Sequence, residues 1–101
     1  MDNKRELRTK QVAVTTAGTR VALSATKKLV SKLWIKAKSA NTGLIYLGDS
    51  TVSSTVGFVL SAKEEIDLFA VYAKDNYVVD LSEIYIDSSV NGEGISVAYF
   101  E

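Results

Sequence analysis

From about residue 11 onward, apolar and polar residues alternate in short runs that glycines and small polar residues interrupt. Alternation with a period of two is typical of half-buried β-strands. The clearest run closes the chain, where Ile95, Val97 and Tyr99 share one face of a predicted strand. About eight short strands at spacings of about 8–12 residues predict an all-β fold, and we favour a small antiparallel β-sandwich, jelly-roll-like, over a barrel.

Two of the predicted strands carry more detailed expectations. Residues 29–38 form the longest run, with Leu29, Leu33 and Ile35 on one face and Trp34 on the other. Residues 66–72 are apolar on both faces except for Asp67, which suits a central strand covered on two sides. The remaining runs cover residues 12–16, 21–23, 45–47, 57–60, 77–81, 83–87 and 95–100. Helix-compatible residues coincide only over residues 25–32 and the first ten positions.

The chain nearly repeats one stretch of its own sequence. NTGLIYLGDSTV spans residues 41–52, and SEIYIDSSV spans residues 82–90. Tyr46 and Tyr85 occupy matching places, and tyrosine suits sites where the ring packs while its hydroxyl reaches water or backbone. We predict that these strands are equivalent edges of a two-sheet fold. Chance convergence of two β-rich segments is the alternative.

The length of 101 residues suits one domain. We predict a sandwich over residues 12–101, preceded by an extended or short-helical arm over residues 1–11. The arm is charged and lacks the apolar core of a signal peptide. No apolar run approaches the roughly 20 residues that cross a bilayer, so the sequence predicts no membrane partner.

Charge is sorted along the chain although the net charge is zero. Residues 1–38 carry ten basic and two acidic residues, a balance of 10 − 2 = +8, and residues 39–101 carry the opposite balance, 2 − 10 = −8. Strands from both halves could interleave in space and mix these charges. Alternatively, the folded particle is electrically polar and meets a charged partner or another copy of itself.

Candidate chemistry is sparse. The chain has neither cysteine nor histidine, which removes disulfides, thiolates and the usual zinc ligands. Two acidic pairs, Glu64 with Glu65 and Asp80 with Glu83, indicate exposed turn carboxylates rather than a glycosidase pair. Asp87 and Glu93 flank a glycine turn and could offer oxygen ligands to Ca²⁺, without the dense spacing of a calcium loop. The sequence therefore predicts no enzyme and no cofactor.

Lysines surround the single tryptophan, Trp34. A single-strand nucleic-acid binder combines a cationic groove with several stacking aromatics. A single aromatic residue cannot stack several bases, and the acidic residues 39–101 would repel phosphate. Nucleic acid is therefore not a partner that the sequence predicts. On a regular strand the indole lies on the outer face with Lys32 and Lys36, where either residues 1–10 or another subunit would cover it.

Several strings resemble a known family. These are Asn41-Thr-Gly-x-Ile-Tyr-x-Gly48, then Gly57-x-x-Leu60, then Leu81-x-x-Ile-Tyr85. Over residues 12–101 the chain is similar to the small β-sandwich structural proteins encoded in the virion gene clusters of tailed bacteriophages. It departs from that pattern at residues 62–64, Ala-Lys-Glu, where relatives often carry a Pro-Gly-Glu turn.

The resemblance implies a non-enzymatic virion component with no catalytic residue and no cofactor to transfer. We expect a capsid decoration (cement) protein, assembled in the bacterial host cytoplasm, that docks through its N-terminal arm, residues 1–10, on the major capsid protein or other head or tail components. A homo-oligomer within the virion is also expected. A tail, adaptor or head-fibre module that binds host glycan is the alternative. The residues predicted to contact partners are Met1, Lys4, Arg5, Leu7, Arg8, Lys32, Trp34 and Lys36.

Overall fold

The computed structural model describes residues 6–67 and 78–100. Within them lie ten β-strands and one short 3-10 helix, Leu81–Glu83. The strands are β1 (Leu7–Ala13), β2 (Val21–Ala22), β3 (Leu29–Val30), β4 (Leu33–Ala37), β5 (Ile45–Gly48), β6 (Phe58–Leu60), β7 (Glu65–Asp67), β8 (Val79–Asp80), β9 (Tyr85–Ser88) and β10 (Gly94–Phe100).

Eight of the strands form two four-stranded antiparallel sheets. Sheet A has the order β1-β10-β4-β7 and sheet B the order β2-β9-β5-β6, while β3 and β8 pair separately. Without that small pair, the strand orders become 1-8-3-6 and 2-7-4-5. This is the order of a jelly roll, in which two Greek keys wrap into a two-sheet sandwich. The predicted all-β sandwich is therefore confirmed.

The core lies between the two sheets and takes side chains from both. Leu33, Ile35 and Val97 of sheet A are at most 2% exposed, as are Ile45 and Ile86 of sheet B. Each large aliphatic side chain that folding encloses contributes about 1.5–3 kcal/mol relative to an exposed one. Alternate residues of each strand supply this core because successive side chains point to opposite faces.

The first strand of sheet A begins nearer the N-terminus than residue 12, where the sequence predicted the start of the sandwich. β1 starts at Leu7, and each of its residues through Ala13 pairs with β10, from Phe100 to Gly94. Residues 7–11, which the pattern assigned to a separate arm, therefore belong to the sandwich. β1 is an edge strand, and the side chains of these residues are mostly polar and exposed. They therefore show little of the alternation between apolar and polar residues that predicts a strand.

The longest predicted run, residues 29–38, is two strands rather than one. Lys32 adopts a φ of +88°, in the left-handed region that non-glycine residues rarely visit. This kink changes the alternation, so that Val30 is buried and Leu29 is 50% exposed. The prediction that Leu29 shares a face with Leu33 was wrong for this reason. The helix-compatible residues 25–32 form no helix, and β3 lies among them.

The two strands that carry Tyr46 and Tyr85 are central in sheet B and pair with each other. Tyr46 lies opposite Asp87, and Gly48 lies opposite Tyr85. The prediction that they are edge strands was wrong, because each forms ladder hydrogen bonds on both sides. Residues 66–72 were predicted to form a central strand. Within the described residues, β7 is instead an edge strand of sheet A, and residues 68–72 lie outside the described residues.

Candidate functional site

The outer surface of sheet A carries two aromatic residues, Trp34 and Phe100, outside the buried core. In the sheet register, Trp34 lies between Ala98 of β10 and Asp67 of β7. The neighbouring row pairs Leu7 with Phe100. We call these five residues the Trp34 face. Trp34 therefore lies opposite the buried Leu33 and Ile35 side of its strand, as its spacing predicted.

Two residues of the same chain cover part of the indole. The Trp34 Nε1–H donates a hydrogen bond to Asp67 Oδ2 at 3.1 Å. The Phe100 ring meets it edge-on, with ring centroids 5.8 Å apart and planes at 71°. Such T-shaped pairs contribute about 0.5–1.5 kcal/mol beyond the area they bury. The indole is half-buried as a result, and neither contact was foreseen, because both partners are distant in sequence.

The basic residues predicted around Trp34 take different positions. Lys36 lies exposed on the same face, opposite Glu65 and Ser96 in the register. Lys32 stands at the kink before β4, and its side chain is exposed. The acidic neighbours Glu65 and Asp67 thus accompany the lysines on this surface. Charges from the two halves of the chain do interleave here, the first alternative that the sequence left open.

The N-terminal residues divide between the two faces of β1. Leu7 belongs to the Trp34 face and is 58% exposed. Arg8 follows it and, by alternation, points to the other face, where its guanidinium lies 3.1 Å from Glu6 Oε1. The structure therefore places Leu7 on the Trp34 face and Arg8 on the opposite face of β1. Met1, Lys4 and Arg5, also predicted to contact partners, lie outside the described residues.

At the far end of the β1–β10 ladder, three loops are held together by side chains. We call residues 14–20, 38–44 and 88–94 the loop end. Glu93 accepts hydrogen bonds from the backbone N–H groups of Thr42, at 2.6 Å, and Gly43, at 2.8 Å. The Asn41 side-chain amide donates to the Gly94 carbonyl at 2.9 Å. The NTG turn is thereby fixed to the glycine turn before β10.

These hydrogen bonds favour the ionised form of Glu93. The N–H groups of Thr42 and Gly43 stabilise the carboxylate and lower the pKa of Glu93 from its ordinary value of 4.5. The pKa of Asp80, beside the 3-10 helix, is also lowered, because its carboxylate accepts hydrogen bonds from the backbone N–H groups of Lys28 and Ser82. Both carboxylates serve as backbone acceptors that set loop geometry.

The carboxylates considered for Ca²⁺ face different backbone groups. Asp87 is 4% exposed, and its Oδ1 accepts hydrogen bonds from the N–H groups of Gly18, at 2.9 Å, and Ser88, at 2.8 Å. Glu93 instead accepts hydrogen bonds from the NTG turn. Within residues 6–67 and 78–100, no three acidic side chains gather closely enough to hold a metal ion. Glu64, of the acidic pair in the sequence, accepts from the Ser61 N–H at 2.6 Å and closes its own turn.

A shallow concavity of about 470 Å³ lies beside Tyr85. Its other lining residues are Gly18, Thr19, Arg20 and Ser50. It combines one aromatic ring, one guanidinium and two hydroxyls, which are groups that can hydrogen-bond and stack on a small polar ligand. The sequence singled out Tyr85 for its place in a strand and missed Arg20, which the loop before β2 brings beside it.

Comparison of this chain with protein-family models, with curated proteins and with solved structures found no match in any of the three. Among the residues that the structure describes, there is no helix long and apolar enough to span a bilayer. The buried side-chain polar atoms of the described residues all have hydrogen-bond partners. The Trp34 face is therefore the candidate site that the geometry distinguishes best.

Proposed function

We propose that the chain is a non-enzymatic structural protein of a tailed-bacteriophage virion, and specifically a capsid decoration protein that docks through the Trp34 face. The support is the resemblance of its strand and turn strings to that class, together with its jelly-roll fold. Jelly rolls occur in viral capsid domains and in lectins, so the fold permits this role without requiring it.

The observation that carries the proposal is the composition of the Trp34 face. Trp, Tyr and Phe are enriched at the centres of protein interfaces, and tryptophan is prominent among residues whose truncation weakens binding most. Here a half-buried Trp34 and the ring of Phe100 adjoin Leu7, which is 58% exposed. Lys36 and Glu65 border them as a charged rim. Binding to a capsid lattice would stabilise a small domain by mass action as well.

Cosedimentation with empty capsid shells of the phage that encodes the chain tests this proposal. Leu7→Asp places a carboxylate in the Trp34 face and is expected to abolish binding. Leu29→Asp is the matched control, since Leu29 is 50% exposed and lies outside that face; it should bind like the unaltered chain. Absence of the chain from purified virions, or equal binding by both variants, would overturn the proposal.

The single tryptophan supplies an independent readout. If docking removes water from the indole, Trp34 emission shifts to shorter wavelength when shells are added. The signal from the shells themselves is subtracted with the Trp34→Phe protein. Removal of residues 2–5 tests the N-terminal segment separately. Deletion of residues 1–10 would not, because it also removes residues 7–10 of β1.

The concavity beside Tyr85 favours a second candidate, a tail, adaptor or head-fibre module that binds host glycan. Sugars bind in shallow sites where a ring stacks on one face and polar groups reach the hydroxyls. Arg20, Tyr85 and Ser50 supply those groups. A glycan array with the isolated chain and its Tyr85→Ala variant separates the two functions. Hits lost in the variant support the glycan module, and a pure decoration protein gives none.

A further inference from the structure

Strand β6 is an edge of sheet B that presents apolar side chains on both of its faces. Its only neighbour among the described residues is β5. Phe58 pairs with the core residue Leu47 and is nevertheless 54% exposed. Val59, on the other face, is 47% exposed, and Val56 just before the strand is 53% exposed. An apolar edge strand with unpaired backbone groups is a template for pairing with another chain.

The other three outer strands of the two four-stranded sheets carry features that discourage such pairing. On β1, Arg8 and Lys10 point toward the core side of the sheet, and charges in that position oppose edge-to-edge contact. β7 carries Glu65 and Asp67, both exposed. β2 is two residues long, which limits the ladder it could offer. Among the outer strands of these two sheets, β6 is uncharged like β2 but longer, with three residues against two.

The charge pattern also indicates which chain would pair with β6. Residues 50–62 contain no charged residue, in a chain that is 24% charged. A strongly charged partner would find no opposite charge on this edge. A second copy of β6 brings no like charge opposite itself, so the edge is self-compatible. The N–H and C=O groups of β6 that point away from β5 complement those of an identical strand running in the opposite direction.

We propose that two copies of the chain dimerise by pairing β6 with β6 in antiparallel orientation, about a two-fold axis normal to sheet B. Two four-stranded sheets then become one continuous sheet. Phe58 of each copy extends the core across the axis, and Val59 packs against its counterpart or its diagonal neighbour on the outer face. This dimer involves a different surface from the Trp34 face, and it stands whether or not the chain belongs to a virion.

The symmetry restricts the register of the dimer. A two-fold axis normal to the sheet keeps each side chain on the same face in both copies. Residues directly opposite each other in an antiparallel pair also share a face. Since neighbouring residues of β6 alternate between faces, no residue can lie opposite its sequence neighbour. One residue must therefore lie opposite its own copy, and the axis passes midway between the two; we call it the axis residue.

Sedimentation equilibrium over roughly a hundredfold range of protein concentration tests the dimer. The average mass of the unaltered chain should rise from 11.0 kDa toward twice that value. Val59→Lys sets like charges near each other across the axis and should raise the dissociation constant at least about tenfold. Val59→Thr keeps a β-branched neutral side chain and should stay within about threefold.

Val78→Lys is the matched charge control, because Val78 is 52% exposed and lies outside β6. It should dimerise like the unaltered chain. Circular dichroism of each variant confirms that the sandwich has formed. An unaltered chain that stays at 11.0 kDa at every concentration overturns the proposal. So does a dimer that Val59→Lys and Val78→Lys weaken equally, since that dimer would use another surface.

Cysteine scanning gives the register. The chain contains no cysteine, so any disulfide that forms between two protein thiols of a single-cysteine variant joins two copies. Opposite Cα atoms in an antiparallel pair are about 4.5 or 5.5 Å apart, within the range of about 4.4–6.8 Å that a disulfide spans. Single cysteines across residues 56–61 should include one position that cross-links fastest, the axis residue. If none cross-links faster than Val78→Cys, β6 pairing does not occur.

Discussion

The β1–β10 ladder joins two regions whose side chains are used in opposite ways. At the loop end, polar side chains such as Asn41 and Glu93 accept or donate hydrogen bonds within the chain. At the other end, on the Trp34 face, apolar side chains remain in contact with solvent, and Leu7 is 58% exposed. Groups already engaged inside a chain have little left for a ligand. The groups left to contact a partner are therefore the apolar side chains of the Trp34 face, not the carboxylates of the loop end.

The largest effect is expected at the loop end, from Gly94→Ala. A Cβ at position 94 would overlap the Val12 carbonyl oxygen and lie 2.7 Å from Ala13 Cα. Both obstacles are backbone, so β1 itself must shift, and we expect a loss of about 3 kcal/mol in the free energy of unfolding. Gly92→Ala is the control: its φ is +80°, but open space surrounds it. Urea unfolding should show about 1–2 kcal/mol for the control, the usual cost of a left-handed residue.

The next effect is a change in acid stability from Glu93→Gln. The pKa of Glu93 is lowered in the folded chain, so its carboxylate stabilises the fold above the unfolded-state value of about 4.5. That stabilisation is lost as pH falls through the lower folded pKa. The variant should therefore melt at a lower temperature at neutral pH and lose less stability than the parent below pH 4.5.

Glu83→Gln is the control for this pH experiment, because Glu83 is an exposed carboxylate on the 3-10 helix. Thermal unfolding is followed from neutral to acid pH for the parent and both variants. If the melting temperatures of Glu93→Gln and the parent fall in parallel on acidification, Glu93 does not hold the NTG turn as its hydrogen bonds indicate.

A smaller effect is expected on the Trp34 face. Trp34→Phe keeps an aromatic ring against Phe100 but removes the N–H that donates to Asp67. A hydrogen bond of this kind contributes about 0.5–1.5 kcal/mol net. In a double-mutant cycle with Asp67→Ala, the two losses should sum to more than the double variant shows. Strict additivity in chemical unfolding would mean that the indole is not held by this hydrogen bond.

The sequence predicted the parts of this fold that depend on alternation within one strand. In β10 the buried Ile95, Val97 and Tyr99 alternate with half-buried residues, as the pattern indicated. Local alternation does not encode the order of strands in a sheet, so the central strands of Tyr46 and Tyr85 were predicted as edges. Alternation also does not reveal a single residue that departs from the strand conformation, as Lys32 does with its positive φ.

The candidate site was predictable in part for the same reason. Spacing alone placed Trp34 on the outer face, because Leu33 and Ile35 had to share the core side. Its partners Asp67 and Phe100 were missed, since register between distant strands brings them together. The hydrogen bonds that Glu93 accepts from the NTG turn join residues about fifty positions apart. The glycines on either side of Glu93 were the only signal, and they indicated a turn without its partner.

The smallest effect is expected at the start of β1, from Glu6→Gln. The Arg8 guanidinium lies 3.1 Å from Glu6 Oε1, but the two side chains are 50% and 65% exposed. Water and salt screen such a pair, so the free energy of unfolding should change by less than about 0.5 kcal/mol. Urea unfolding at low and high salt checks this. A loss above about 1 kcal/mol that disappears in salt would show that charge pairing fixes this end of the ladder. A negligible loss would mean that the ladder between β1 and β10, rather than this ion pair, holds the start of β1 in place.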